Sequence, residues 1–414
     1  MRQVSITISL ISCLSLSCSV DQNSTVIEMD RTTGLSGDGF IELGRAVEDA
    51  RIVLLGENGH GVAEFSELRS HVLIWLHEEH DFNVVAFESG FFECGHAFNR
   101  LTEISARQLL YDCLRYPFQH AELLPLFEYV KESQLTDSPL VLAGVDIQAQ
   151  GFDSNYRPAF LDSAIVNGDA TFESDLKDID RKLYLVADSG GLGDDRYTWA
   201  TENLGAISKT YLTAAEMTEG WTRWVFKAST AWAERLASRG RMILEDKPRP
   251  AEYFQIRDNW MATLTEAVAD SIFGQQKVVL MLHNDHARYG LFRNGEHQIQ
   301  SAGGLLRNTF GADVFSIGFF MGGGIIADNG RTRHNIDTDS LGSLERFFSA
   351  QTSTTGYAVF RNNSNKHIRQ FADSVQSYSR MGLYRQTMVP ANEFDAVFYI
   401  NEVRPPEYRI PRDD

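Results

Sequence analysis

Short apolar runs separated by helical patterns constrain the fold of this chain more than any other feature of its sequence. The runs are dominated by Val, Leu and Ile, which is typical of strands buried on both faces of a sheet. They lie at 51–55, 83–87, 140–145 and 277–282. Apolar residues recur at helical spacing in 63–80, and helical patterns fill most of 91–133. Strands that alternate with helices predict an α/β fold with a mostly parallel central sheet and flanking helices.

The segment from about 155 to 275 differs from the rest of the chain. It contains few strand signals, and it is rich in Tyr, Trp and charged residues at helical spacing, with long helices predicted over 222–241 and 252–272. We interpret this segment as a helical insertion that covers the active-site cleft of a single domain over 39–402. Further strands are expected at 314–319, 356–360 and 395–400.

The N-terminus has the composition of an export signal. Residues 1–20 combine one arginine with a short apolar, Ser-rich stretch, which predicts a signal peptide or a lipoprotein signal lipidated at Cys13 or Cys18. We therefore expect an exported protein, either periplasmic or lipid-anchored. Residues 21–38 are predicted to form a flexible arm, and residues 403–414 a C-terminal tail.

The remaining cysteines, Cys94 and Cys113, leave two interpretations open. An exported protein can pair them as a disulfide, or they can be separate buried thiols. Their spacing matches no zinc-binding pattern.

The formal charge of −18 narrows the range of partners. An acidic protein repels nucleic acid and anionic membrane surfaces. The expected partner is therefore a small-molecule substrate, with no nucleic acid, and with membrane contact only through a lipid anchor.

Ionisable side chains cluster just past the predicted strand ends: Glu57, His60, Glu88, Asp146, His283 and His286. In parallel sheets, ligands bind beyond the carboxyl ends of the strands, where these side chains would meet. A histidine can take a proton from water near neutral pH, and a neighbouring carboxylate can orient its ring. Arg69, in the helix after the first run, can pair with a carboxylate or stabilise developing negative charge.

Other mechanisms receive less support from the motifs. The sequence lacks the G-x-S-x-G elbow of serine hydrolases, the phosphate loop of nucleotide-binding proteins and the H-E-x-x-H zinc helix. A metal site stays open as an alternative, because His60, His283, His286 and Glu88 are acceptable ligands by residue type.

The ordered set of motifs resembles the erythromycin esterase family. The resemblance covers about 40–400 and rests on LGENGHG at 55–61, AFESG at 86–90, GVDIQ at 144–148, RD at 257–258 and HNDH at 283–286. It implies an α/β core with a helical portion, a cleft between them, and hydrolysis of a macrocyclic lactone by water without a metal or other cofactor. One position departs from the pattern: Gly59 stands where a Ser or Thr is more usual, which implies a looser loop around His60.

Roles carried over by motif make His60 the general base, while Glu88 and His283 hold or activate the water. The supporting or substrate-binding residues are Glu57, Arg69, His286, Asp146 and Arg257. The predicted function is a carboxylic ester hydrolase that opens the lactone of a macrolide antibiotic. The alternatives are a metal-dependent hydrolase of another ester, amide or phosphoester, and a non-catalytic binding protein that uses the same cleft.

Overall fold

The computed structural model describes residues 26–29, 40–149, 156–165, 169–188, 194–247, 250–336 and 338–410. The predicted export signal, with Cys13 and Cys18, lies outside the described residues. Among the residues that are described, no helix combines the length and the apolar character needed to cross a membrane.

The strands are β1 (Ile27–Met29), β2 (Ile52–Leu55), β3 (Val84–Gly90), β4 (Val141–Asp146), β5 (Val278–Met281), β6 (Leu291–Asn294), β7 (His297–Gln300), β8 (Val314–Ala327), β9 (Arg333–Asn335), β10 (Thr355–Val359), β11 (Gln376–Arg380), β12 (Tyr384–Met388) and β13 (Ala396–Val403).

The helices are α1 (Ile41–Val47), α2 (Ala63–His80), α3 (Phe91–Asn99), α4 (Ala106–Cys113), α5 (Leu124–Ser133), α6 (Tyr156–Ala164), α7 (Ala170–Asp188), α8 (Asp194–Glu202), α9 (Leu204–Glu216), α10 (Gly220–Leu244), α11 (Ala251–Ala267), α12 (Asn284–Ala287), α13 (Ala302–Phe310), α14 (Ser343–Ser349), α15 (Lys366–Ala372) and α16 (Pro390–Glu393).

The central sheet is mostly parallel, as predicted. Over the described part of the chain, its strands run in the order β1-β10-β13-β8-β2-β5-β3-β4, and β9 pairs with β8. Neighbours from β13 to β4 are parallel, whereas β1, β10 and β9 add antiparallel pairs at the margins. Leu55 lies level with both Met281 and Ile317, so β2 and β5 end at one edge, whereas β8 continues beyond it to Ala327.

Both faces of the sheet are covered because successive side chains of a strand point in opposite directions. Val53 and Leu55 of β2 join one apolar cluster with residues of α2 and α5. Ile52 and Leu54 join a second cluster that includes residues of α10 and α11. The continuous apolar runs of the sequence reflect this burial on two sides.

The helical insertion is observed as α6 to α11. A buried ion pair ties its helices together: Arg157 of α6 bonds Asp180 of α7, with its Nε atom 3.0 Å and 3.2 Å from the two carboxylate oxygens. Tyr211 of α9 donates to the same carboxylate at 2.9 Å, and Arg157 donates to Ser229 of α10 at 2.7 Å. Four helices are thereby joined at one buried point.

The structure corrects the two ends of the predicted domain. Ile27–Met29, placed by the sequence in a flexible arm, forms β1 and pairs with β10. The predicted C-terminal tail begins inside β13, and its next residue is held against α2, since Arg404 donates to Glu67 at 2.7 Å and its N–H to Glu64 at 2.9 Å. Hydrogen bonds to the backbone and to side chains order both segments, which a polar composition does not reveal.

Cys94 of α3 and Cys113 of α4 form a disulfide, with Cα atoms 4.0 Å apart. The loop that follows Cys113 carries Arg115 and Phe118 to the carboxyl edge of the sheet, where the N–H of Arg115 donates to the Ser89 hydroxyl at 2.9 Å.

Candidate active site

The predicted site residues meet at the carboxyl edge of the sheet because β2, β5, β3 and β4 are parallel neighbours. The turn after β2 also passes close to α12, which follows β5. A Cβ atom at Gly56 would lie 2.0 Å from the Asn284 side-chain oxygen, so only glycine fits there. The two loops that carry histidines are thus held against each other.

His60 is anchored through one nitrogen of its ring. Its Nδ1 atom lies 2.7 Å from Oε1 of Glu57, and the second oxygen of Glu57 accepts a hydrogen bond from Arg69. Burial alone would raise the pKa of Glu57, but the Arg69 guanidinium and the contact with His60 hold it below its usual range. A charged Glu57 accepts a hydrogen bond from the Nδ1–H of His60, so the proton of the neutral ring lies on Nδ1 and Nε2 carries a lone pair.

The ring of His60 lines the site, with 13% of its side chain exposed. The ring of Phe118 packs edge-on against it at a centroid distance of 4.8 Å, and the ring of His283 lies 5.1 Å away on a tilted plane. His60 therefore has an apolar neighbour and an imidazole neighbour.

The contacts of His283 favour the tautomer opposite to that of His60. Its Nδ1 atom accepts a hydrogen bond of 3.1 Å from the backbone N–H of Asp285. Burial lowers the pKa of His283 to about 4, so the ring is neutral at neutral pH. With Nδ1 acting as an acceptor, the proton of the neutral ring lies on Nε2, which is buried and has no hydrogen-bond partner among the described residues.

Glu88 is an ionised carboxylate whose two oxygens are both engaged. Oε1 accepts from Nη2 of Arg257 at 2.6 Å, and Oε2 accepts from the backbone N–H of His283 at 2.8 Å. Although burial would raise its pKa, the neighbouring His286 ring and the Arg257 guanidinium hold it well below its usual range. Glu88 thus supplies a fixed negative charge beside the histidines.

Arg257 of α11 connects the helical insertion to the site. Its Nε and Nη2 atoms donate to Oδ2 of Asp146 at 3.0 Å and 2.6 Å, while Nη2 also reaches Glu88. Nη1 of Arg115 lies 3.4 Å from the same Asp146 oxygen. Against the cost of burial, Arg257 and Arg115 hold the pKa of Asp146 low. Two arginines therefore balance two carboxylates.

Both ring nitrogens of His286 form hydrogen bonds within the protein. Nδ1 lies 2.7 Å from Oδ1 of Asp258, an oxygen that also accepts from the N–H of Ala302 at 2.9 Å. Nε2 lies 2.9 Å from Nη1 of Arg257, which can only donate. His286 therefore holds Arg257 and Asp258 in place.

The structure brings all of the predicted site residues into one connected network: Glu57, His60, Arg69, Glu88, Asp146, Arg257, His283 and His286. It adds Asp258 and Asp285, which lie inside the motifs RD and HNDH, and Arg115, Phe118 and Arg380, for which the sequence carried no signal. In the described residues, no group of three or more His, Cys, Asp or Glu side chains is arranged as a metal site.

Chemically, the site places a proton acceptor beside a proton donor. Nε2 of His60 has a free lone pair, and Nε2 of the neighbouring His283 carries a hydrogen. The nearby carboxylates are charged and are matched by buried arginines, so the site is fixed electrostatically before any ligand binds.

A family model described as erythromycin esterase matches residues 77–403. The match contains every predicted site residue except Glu57, His60 and Arg69, which precede it.

Relatives align over most of the chain. A Bacillus subtilis (strain 168) protein, YbfO, which carries a provisional hydrolase name, is 24% identical over 388 residues, covering 88% of this chain and 86% of the relative. Erythromycin esterase type II of Escherichia coli is 22% identical over 411 residues, covering 88% and 92%. Erythromycin esterase type I of Escherichia coli is 32% identical over 111 residues, covering 26% and 27%.

Solved structures share the fold. A protein titled as a succinoglycan biosynthesis protein superposes with a TM-score of 0.75 at 14% identity, covering 93% of this chain and 96% of that one. An erythromycin esterase mutant in its open conformation gives a TM-score of 0.67 at 17% identity, covering 92% and 99%. Because one family model spans most of the sequence, including the ends of β3, β4 and β5, this chain belongs to the erythromycin esterase family and is, in its broad class, a hydrolase.

Proposed function

We propose that the protein hydrolyses a carboxylic ester by general-base activation of water, with His60 as the base. One observation carries the proposal: Nδ1 of His60 faces the carboxylate of Glu57, whereas Nδ1 of the neighbouring His283 accepts a backbone N–H. These contacts assign a lone pair to Nε2 of His60 and a hydrogen to Nε2 of His283. Activation of water needs the lone pair of His60, and the oxyanion formed by attack on a carbonyl needs the hydrogen of His283 as a donor.

The steps follow from these proton positions. Nε2 of His60 removes a proton from water as the water oxygen forms a bond to the ester carbonyl carbon. The carbonyl electron pair moves to its oxygen, and the Nε2–H of His283 donates to that oxyanion. When the intermediate collapses, the bond to the leaving oxygen breaks, and the proton on His60 passes to the leaving alkoxide.

The carboxylates support this cycle without exchanging protons. Glu57 accepts from Nδ1 of His60 and stabilises the imidazolium that forms, and Arg69 fixes Glu57 by a second hydrogen bond. The pKa of Glu88 is too low for it to act as a base near neutral pH. Its charge favours the imidazolium, and its bond to the N–H of His283 holds that residue in place.

The finer proposal is that the ester is the lactone of a macrolide. It is supported by the names of the Escherichia coli relatives, which are erythromycin esterases of types I and II. Hydrolysis of a cyclic ester releases no fragment, since the carboxyl and hydroxyl products stay in one molecule. The reaction therefore adds the mass of one water to the substrate.

The test is incubation of purified protein with a panel of macrolides and with simple carboxylic esters, followed by mass spectrometry. The expected result is a macrolide that gains one water. Turnover of simple esters alone would overturn the macrolide assignment but keep the esterase. No turnover of any ester would overturn both.

His60→Ala tests the mechanism in the same assay. General-base catalysis contributes about a hundredfold to ten-thousandfold, so the variant should lose at least about a hundredfold in rate. His71→Ala, at an exposed position of α2, is the matched control and should keep its activity. If His60→Ala retained more than about a tenth of the rate, the base would lie elsewhere.

The proposal also assigns the protein to an oxidising compartment outside the cytoplasm. Its support is the buried disulfide between Cys94 and Cys113, a bond that persists mainly in exported proteins. Cell fractionation with thiol labelling after acid quenching tests it. The expected result is an exported pool with both thiols blocked. A cytoplasmic pool with both thiols free would contradict it.

A further inference from the structure

The hairpin formed by β11 and β12 braces the two loops that carry the active-site histidines. The side chain of Asn58, in the turn before His60, donates to the carbonyl of Ser379 at 2.6 Å and accepts from the N–H of Met381 at 3.0 Å. Between these two contacts, Arg380 reaches the Asp285 side chain on the turn after β5. One short hairpin therefore contacts both catalytic loops.

Asp285 acts on His283 in two opposed ways. Its backbone N–H donates to Nδ1 of His283 at 3.1 Å, which keeps that nitrogen unprotonated. Its carboxylate Oδ2 lies only 3.5 Å from the same nitrogen, where a free negative charge would favour a proton on Nδ1. The two groups of a single residue thus compete over the position of the ring proton.

Arg380 occupies the carboxylate. Its Nε atom lies 3.0 Å from Oδ2 and 3.3 Å from Oδ1 of Asp285, and its Nη2 atom donates to Oδ2 as well. A guanidinium bound in this forked manner takes the lone pairs of the carboxylate and cancels its charge. Asp285 is almost fully buried, so solvent screens its charge only weakly.

We propose that Arg380 is a positioning residue that keeps the proton of His283 on Nε2, in the ring that packs against His60. Without Arg380, the neutral ring would gain by moving its proton to Nδ1 and donating it to Oδ2 of Asp285. Nε2 would then present a lone pair, and the donor needed by the oxyanion would be lost. The catalytic part of this inference rests on the proposed esterase function, whereas the proton position does not.

Several ionisable groups face His283, and the loss of Arg380 would remove none of them. They are Glu57 and His60 on the loop after β2, Arg69 on α2, Glu88 on β3, and Asp285 and His286 on its own turn. Glu57 is bound by Arg69, and Glu88 by Arg257. Of the three carboxylates in this set, Asp285 is the one whose arginine partner, Arg380, lies on the hairpin.

Nitrogen NMR of protein labelled at histidine measures the proton position directly, without substrate. The signals of His283 are assigned by their loss in His283→Gln. In the wild-type protein at neutral pH, we expect a protonated Nε2 and an unprotonated Nδ1. In Arg380→Gln, we expect a protonated Nδ1 and an unprotonated Nε2. A charged ring, which would keep its Nε2 proton, would contradict the loss of the donor. An unchanged spectrum in Arg380→Gln would overturn the inference.

A second variant separates the proton effect from simple loss of packing. In Asp285→Asn with Arg380→Gln, no carboxylate remains to attract the proton, while the backbone N–H at position 285 still donates to Nδ1. The Nε2–H form should therefore return. Arg385→Gln on β12, whose side chain bonds the carbonyls of Asp339 and Leu341, is the matched control and should match the wild type. If Arg380→Gln does not fold, Arg380→Lys gives the same measurement with a smaller expected change.

Kinetics then test the link to catalysis. Removal of a single oxyanion donor typically costs about a hundredfold in kcat, so Arg380→Gln should approach that loss with little change in KM. The double variant should recover most of it. A shifted proton with unchanged kcat would leave the positioning role intact and would refute the role of His283 in the proposed reaction.

Discussion

Replacing His283 by glutamine should make the protein less sensitive to acid. Burial lowers the pKa of His283 to about 4 in the folded protein. In the unfolded chain, a histidine titrates near its ordinary value of about 6.5. Between these two values the unfolded state binds a proton that the folded state does not, so the free energy of unfolding falls as the pH falls. The variant lacks this contribution.

The magnitude follows from the size of the pKa difference. Each unit corresponds to about 1.4 kcal/mol, and the difference is roughly two and a half units. The wild-type protein should therefore lose about 3 kcal/mol more stability than His283→Gln between pH 7 and pH 4. Loss of the ring itself changes the free energy of unfolding of the variant by a constant amount at every pH. The comparison therefore uses the slope of the free energy of unfolding against pH, and not its absolute value.

Urea unfolding followed by tryptophan fluorescence at a series of pH values measures this slope. His71→Gln is the control, because the side chain of His71 is exposed. Its curve should run parallel to that of the wild type. If the wild-type and His283→Gln curves also ran parallel, His283 would not be buried as a neutral ring, and the proposed donor role would lose its basis.

Three further predictions address the loop, the insertion and the metal alternative. Gly59→Ala should raise the free energy of unfolding by about 0.4–1 kcal/mol, because the unfolded chain would lose freedom and, among the described residues, its Cβ would meet only Met321, at 3.8 Å. Lower stability in urea unfolding would show that the loop needs glycine. Arg157→Met should cost about 3–5 kcal/mol, since Asp180 would stay buried without its charged partner and keep only the hydrogen bond from Tyr211; a loss below about 1 kcal/mol would argue against a buried charge at this position. Turnover should survive dialysis against a chelator, and a loss that zinc or manganese restores would make the histidines metal ligands.

The fold was largely predictable where burial imposes a regular pattern. The run 51–55 and the helical spacing over 63–80 correspond closely to β2 and α2. These elements are buried, so their sequences must repeat with the period of the structure. The hairpins β6–β7 and β11–β12 were missed because their strands are short. Strands β6, β7 and β12 are also partly exposed, and β11, although mostly buried, consists largely of polar residues.

The location of the site was also predictable, because strand ends are recognisable in the sequence. What each residue contributes was not, since it depends on partners that are distant along the chain. Arg380 lies 95 positions from Asp285, and Arg257 lies 169 positions from Glu88. No local pattern marks Arg380, and Arg257 was identified only through the family resemblance of the RD motif, without its partners. The packing of Phe118 against His60 depends likewise on the path of a loop between α4 and α5.

The three histidines of the site, His60, His283 and His286, differ in the hydrogen-bond partners of their ring nitrogens, and we expect them to differ in function for that reason. His60 donates from Nδ1 to a carboxylate and keeps Nε2 open, whereas His283 accepts at Nδ1 and must carry its proton on Nε2. His286 also faces a carboxylate through Nδ1, but Arg257 occupies its Nε2. It could replace His60 as a base only if Arg257 withdrew, and that movement would strip Glu88 of its counter-charge. The same arginine that makes Glu88 a fixed anion therefore prevents His286 from acting as a second base.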